Sequence, residues 1–121
     1  MLMNDFYTIS DAATGENRWT GRITFNPDHA IFKGHFPGQP VVPGVCMMQI
    51  VKEVLEMALG RKMQVQQAAQ VKFLQLITPE VMPFVQVDWT NMEGKVSVNA
   101  AFRTEKDLFK MNAILVNAET N

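Results

Sequence analysis

The chain has 121 residues, 47% hydrophobic and 19% charged, with a formal net charge of −1; that is one domain of ordinary globular composition, without the basic footprint a nucleic-acid binder needs. The single cysteine, Cys46, excludes an internal disulfide framework and a cysteine-based zinc cluster. The start has no basic region followed by a long apolar run, and no apolar run is long enough to cross a bilayer, so a cytoplasmic protein without a membrane or nucleic-acid partner is expected.

There is no internal repeat, and residues 1–121 are expected to form a single domain, with 1–16 the least clearly patterned part. Arg18 to Asn26 reads as a strand, with Trp19, Ile23 and Phe25 among polar residues. His29 follows in Asn26-Pro27-Asp28-His29, where a turn residue beside Asp28 is expected. A His29/His35 metal pair lacks further ligands at a recognisable spacing, so no metal is expected. Next comes His35-Phe36-Pro37-Gly38-Gln39-Pro40-Val41-Val42-Pro43-Gly44, with three of the six prolines. Proline locks φ and interrupts regular structure, so this stretch predicts an ordered loop.

Val45 to Leu59 predicts a helix, closed by Gly60 as a left-handed cap, with Arg61 and Lys62 favourable near its negative end. Gln49, Lys52, Glu53 and Glu56 share one stripe, expected to be a solvated face with an i,i+4 ion pair. The other residues are nearly all apolar, which implies burial on more than one side. Cys46, in the first turn, is expected to be a small buried residue. Beyond the helix the period changes to two. Val65 to Ile77 is a long strand candidate with a glutamine-rich first half. Phe84 to Met92, Lys95 to Thr104 and Leu108 to Val116 alternate and are joined by short turns, an antiparallel meander. One long helix and one antiparallel sheet make an α+β fold, the sheet wrapping the helix.

Gly34-His35-Phe36-Pro37-Gly38-Gln39-Pro40-Val41-Val42-Pro43-Gly44-Val45 resembles the His-Phe-Pro-Gly-x-Pro…Pro-Gly-Val stretch of the β-hydroxyacyl-acyl-carrier-protein dehydratases of the hot-dog fold. Val71-Lys72-Phe73 is a weaker echo, and the order of elements agrees beyond about residue 18. The resemblance implies a (3R)-hydroxyacyl-thioester dehydratase of acyl-chain biosynthesis. His35 would be the base, and Phe36, Gly44 and Val45 would contact the substrate, with the Gly44 amide on the thioester carbonyl. It implies no organic cofactor, an acyl thioester on acyl carrier protein or coenzyme A as ligand, and a homodimer or a hexamer built as a trimer of dimers. Dehydration needs a base for the Cα proton, an acid for the departing β-hydroxyl and stabilisation of the enolate oxygen. A histidine suits the first, and the open N–H groups of a helix start suit the last. Arg61, Lys62, Lys72, Arg103, Lys106 and Lys110 are candidate contacts for an acidic carrier.

The family's acid, a Glu or Asp fourteen residues after the histidine, is here Gln49, which has no proton to give. One turn on, where the family commonly has Gln, stands Glu53, about 6 Å further along the axis. Either Glu53 supplies the acid, or the chain is an acyl-thioester-binding protein or the acid-lacking subunit of a heteromeric dehydratase. A thioesterase fits less well, since Gln49 cannot activate water.

Overall fold

The computed structural model describes residues 1–33 and 38–118. Six strands, β1 (Tyr7–Gly15), β2 (Arg18–Phe25), β3 (Met63–Phe73), β4 (Phe84–Met92), β5 (Lys95–Arg103) and β6 (Asp107–Asn117), form one sheet around a single long helix, α1 (Gly44–Leu59). The sheet order is β1-β2-β4-β5-β6-β3, with every neighbouring pair antiparallel. The alternation expected in the meander is what builds the core. Val85, Val87 and Trp89 of β4, Val96, Val98, Ala100 and Phe102 of β5, and Phe109, Met111, Ala113 and Leu115 of β6 are all buried. They pack on Ile50, Val51, Val54 and Leu55 of α1 in one cluster. This is the hot-dog arrangement, a sheet wrapped round one helix.

Two boundaries differ from expectation. The long strand ends at Phe73 rather than Ile77, because the Leu74 and Gln75 N–H groups both turn to the Leu108 carbonyl (3.0 and 3.2 Å) and leave the ladder. Ile77 is buried beside the entry to α1, where its carbonyl accepts the Val42 N–H at 2.7 Å. At the other end of the chain, residues 7–15 form a strand that the sequence pattern did not reveal. Most of β1 is exposed and does not alternate, and its register on β2 shifts between Ser10 and Ala13, where Asp11 takes a φ of 53°. Tyr7 and Ile9 turn inward to the core; beyond them backbone pairing carries the strand rather than an apolar face.

The helix ends as expected. Gly60 adopts φ 71° and its N–H returns to the Glu56 carbonyl, the left-handed cap that glycine takes without strain. At the start, extended Pro43 precedes the helix and its carbonyl accepts the Cys46 N–H at 3.0 Å.

Candidate active site at the start of the helix

His35 and Phe36 lie outside the described residues. The segment that follows them is firmly placed: Val41 and Val42 are buried, and the Val42–Ile77 hydrogen bond ties the approach to α1 onto the stretch after β3. Gly44 opens the helix beneath the ring of Phe73. A Cβ at this position would lie 2.5 Å from Phe73 Cε1, so only glycine fits under the ring as it stands. Phe73 in turn leans on Phe109 of the neighbouring strand, ring centres 5.4 Å apart. Gly44 and Phe73, with Val41, Val42, Met47 and Leu76, line an apolar groove of about 220 Å³. Val45 beside it is 73% exposed and Phe73 57%. Cys46 is buried as expected, and burial raises its thiol pKa, the opposite of activation.

The polar stripe of α1 is not the uniform solvated face the spacing suggested. Lys52 and Glu56 do pair at 3.8 Å, and Glu56 also accepts the Met63 N–H at 2.9 Å. Glu53, however, is 1% exposed. The cover is the chain's own beginning, which folds back over the helix. Glu53 Oε1 accepts the Met3 N–H (2.8 Å) and the Tyr7 hydroxyl (3.1 Å). Its Oε2 accepts the Leu2 N–H and the Gln49 amide, both at 2.8 Å. Two donors per oxygen fill the acceptor sites of an ionised carboxylate. Burial alone would push this carboxyl up, but the four donors outweigh it and hold it below the usual carboxylate range. The Tyr7 hydroxyl is pushed far up, first by burial and then by the Glu53 charge, and stays protonated as a donor. So the expected neighbours Gln49 and Glu53 are in contact, and Tyr7 joins them. No sequence signal pointed to Tyr7, because two of the other donors are backbone N–H groups.

His29 is held in its turn. Its Nδ1 accepts the Ile31 N–H at 3.1 Å, Nε2 lies 3.2 Å from Asp5 Oδ2, and the ring stands edge-on to Phe6. It pairs with Asp5 rather than Asp28. Among the described residues no group of three His, Cys, Asp or Glu is placed to hold a metal. The candidate cations are dispersed. Arg61 and Lys62 follow the helix end, Lys72 faces Lys110 across β3 and β6, and Arg103 and Lys110 both approach Asp107 (3.6 and 3.3 Å). No helix is long and apolar enough to cross a membrane among the described residues.

Sheet and helix define a hot-dog protein. The family model described as ApeI-like (ApeI dehydratase) matches residues 11–112, and the chain belongs to that family. Among curated relatives, a 3-hydroxyacyl-[acyl-carrier-protein] dehydratase FabZ of Clostridium acetobutylicum is 25% identical over 89 residues, 68% of this chain and 62% of the relative. A FabZ of Thermus thermophilus is 45% identical over 40 residues, 33% of this chain and 27% of its own length. The chain thus spans less than two-thirds of these relatives. Among solved structures, a chain of the dehydratase heterocomplex ApeI:P of Xenorhabdus doucetiae superposes with a TM-score of 0.78 at 17% identity, covering 92% of this chain and 98% of that one. At that identity the likeness speaks for the fold.

Proposed function

We propose that this protein is a (3R)-hydroxyacyl-thioester dehydratase subunit without a general acid of its own, acting in acyl-chain biosynthesis with a partner chain that carries the acid. The observation that carries this reading is the filled shell of Glu53. A carboxylate that already accepts four hydrogen bonds and is held ionised has no proton to give a leaving hydroxyl. Gln49, at the position of the family's acid, has none either. The remaining parts suit the reaction. His35 is the base for the Cα proton. The Gly44 amide, in the open first turn, faces the thioester carbonyl as it becomes an enolate oxygen. Val45 and Phe36 contact the acyl chain, and the groove beside Gly44 receives it. The thioester is borne by acyl carrier protein or coenzyme A.

A partner is accommodated by β3, the last strand of the sheet order, which is eleven residues long and exposed along almost its whole length. An edge of that kind is a template for another chain's strand. The name of the Xenorhabdus neighbour, a dehydratase heterocomplex, is consistent with pairing between unlike chains, while a homodimer or hexamer would leave every site without an acid.

The test is enoyl-thioester formation by the purified chain and by its Gln49→Glu variant. In the variant two carboxyls would stand side by side, which raises the pKa of one of them toward the protonated state a general acid needs. The wild type alone is expected to be nearly inert, and Gln49→Glu to raise turnover by about 10²-fold or more. His35→Ala should then remove the gained activity from a folded protein. Brisk turnover by the wild type alone would overturn the reading.

A further inference from the structure

At the far end of α1, about 24 Å from Gly44 by the helix rise, two cavities share one residue, Arg61. The first, of about 350 Å³, is mainly apolar: Met1, Met3 and Met57 wall it, and the exposed Arg61 and Lys62 complete that side. The second, of about 240 Å³, is more polar and sets Arg61 with Lys95, Asn91 and Asn117. Both sides of the apolar cavity are anchored. Glu53 holds the Met3 N–H at 2.8 Å, and the Lys62 carbonyl accepts the Ala118 N–H at 3.0 Å. Two glutamates also line it, and both are engaged. Glu53 holds four donors and lies about 10 Å back from Gly60 along the axis. Glu56 meets Lys52 and the Met63 N–H. Arg61, Lys62 and Lys95, in contrast, form no ion pair among the described residues.

We infer that this end of the molecule is a second binding site, for a single-chain amphiphile with a carboxylate head: the chain lies among the methionines and the head meets Arg61 and Lys95. An apolar cavity with a few polar groups at one side is the ordinary make-up of a small-molecule site. Methionine side chains are flexible and polarisable, and adapt to a chain of no fixed shape. The negative end of α1 is unfavourable to an anion at Gly60, so the head belongs in the polar cavity beyond Arg61. There the guanidinium fork matches a carboxylate, Lys95 adds a second charge, and the Asn91 and Asn117 amides offer further donors. No residue of the Gly44 groove takes part, so this site stands apart from the dehydratase reading.

The experiment is an NMR titration of methionine-methyl-labelled protein with decanoate, decanol and acetate, the signals being assigned by single Met→Leu replacements. Decanoate is expected to move the methyl signals of Met3 and Met57 and to leave that of Met47, at the helix start, in place. It should bind about 5-fold or more tightly than decanol, the upper span of an exposed charge pair, and acetate should move neither signal. Arg61→Glu and Lys95→Glu, both at exposed positions, should each lower decanoate affinity by a similar factor and leave decanol unchanged. Met57→Glu, at a side chain 47% exposed, should remove the binding of both. Decanol or acetate binding as tightly as decanoate, decanoate affinity that survives both charge reversals, shifts at Met47 without shifts at Met3 and Met57, or no binding of decanoate at all would overturn the inference.

Discussion

The first turn of α1 and its third turn are finished in opposite ways. At Gly44 and Val45 the backbone is open, the neighbours are exposed apolar side chains, and Phe73 stands over the glycine. At Glu53 the carboxylate is closed: two backbone N–H groups, a hydroxyl and an amide meet its two oxygens. The proposed function places ligand chemistry at the unfinished end. The finished end supplies order, because a buried charge is tolerable only when its hydrogen-bonding capacity is met. Glu56, one turn from Glu53, sharpens the point. It is the same residue type on the same helix, and it keeps a single backbone donor and a loose lysine contact.

Substituting each glutamate tests that contrast most forcefully. Glu53→Leu strands the Tyr7 hydroxyl, two N–H groups and the Gln49 amide, and is expected to cost about 3–4 kcal/mol in denaturant unfolding. Glu56→Ala gives up one hydrogen bond and a partly exposed ion pair, and should cost about 1 kcal/mol. Equal losses would erase the distinction between the two positions.

At the open end, Gly44→Val drives a side chain into the Phe73 ring. That ring is more than half exposed and can yield, so stability should fall by only about 1–2 kcal/mol. Thioester affinity should fall further. Adding Phe73→Ala should restore most of the lost stability and none of the affinity. Full recovery of both would mean that the glycine serves the ring alone.

The smallest effect is on pH dependence. Because the folded-state pKa of Glu53 is depressed, its contribution to stability is present above the ordinary glutamate value of about 4.3 and is lost as pH falls below that value through the folded pKa. Unfolding free energy measured from pH 6 downward should decline in this acid window for the wild type. Glu53→Gln should flatten part of that decline. An identical acid limb in both proteins would show that the carboxyl is not held down.

Much of the fold was legible in the sequence because it rests on periodicity. The alternation from Val85 to Leu115 marks the buried face of three strands, and Gly60 closes the helix where a positive φ is required. The proline-rich loop before Gly44 marks a candidate site whose His35 and Phe36 lie outside the described residues. What stayed hidden depends on groups without a sequence pattern. Beyond Tyr7 and Ile9, β1 is held by backbone pairing, with exposed, short side chains. The burial of Glu53 depends on Leu2 and Met3, some fifty positions earlier, donating main-chain N–H groups that every residue but proline has. A helical projection sees only the helix, so Glu53 takes the same stripe as Lys52 and Glu56. The fit of Phe73 over Gly44 likewise joins two segments far apart in the chain.

The central claim is that Glu53 is a locked carboxylate and supplies no proton. The most direct measurement is an NMR titration of its side-chain carboxyl carbon in the folded protein, assigned by comparison with Glu53→Gln. A single transition below the ordinary glutamate range, with the signal ionised throughout the neutral region, is the predicted result. A transition raised toward neutrality would show a carboxyl that keeps its proton where a general acid needs it, and would contradict the account.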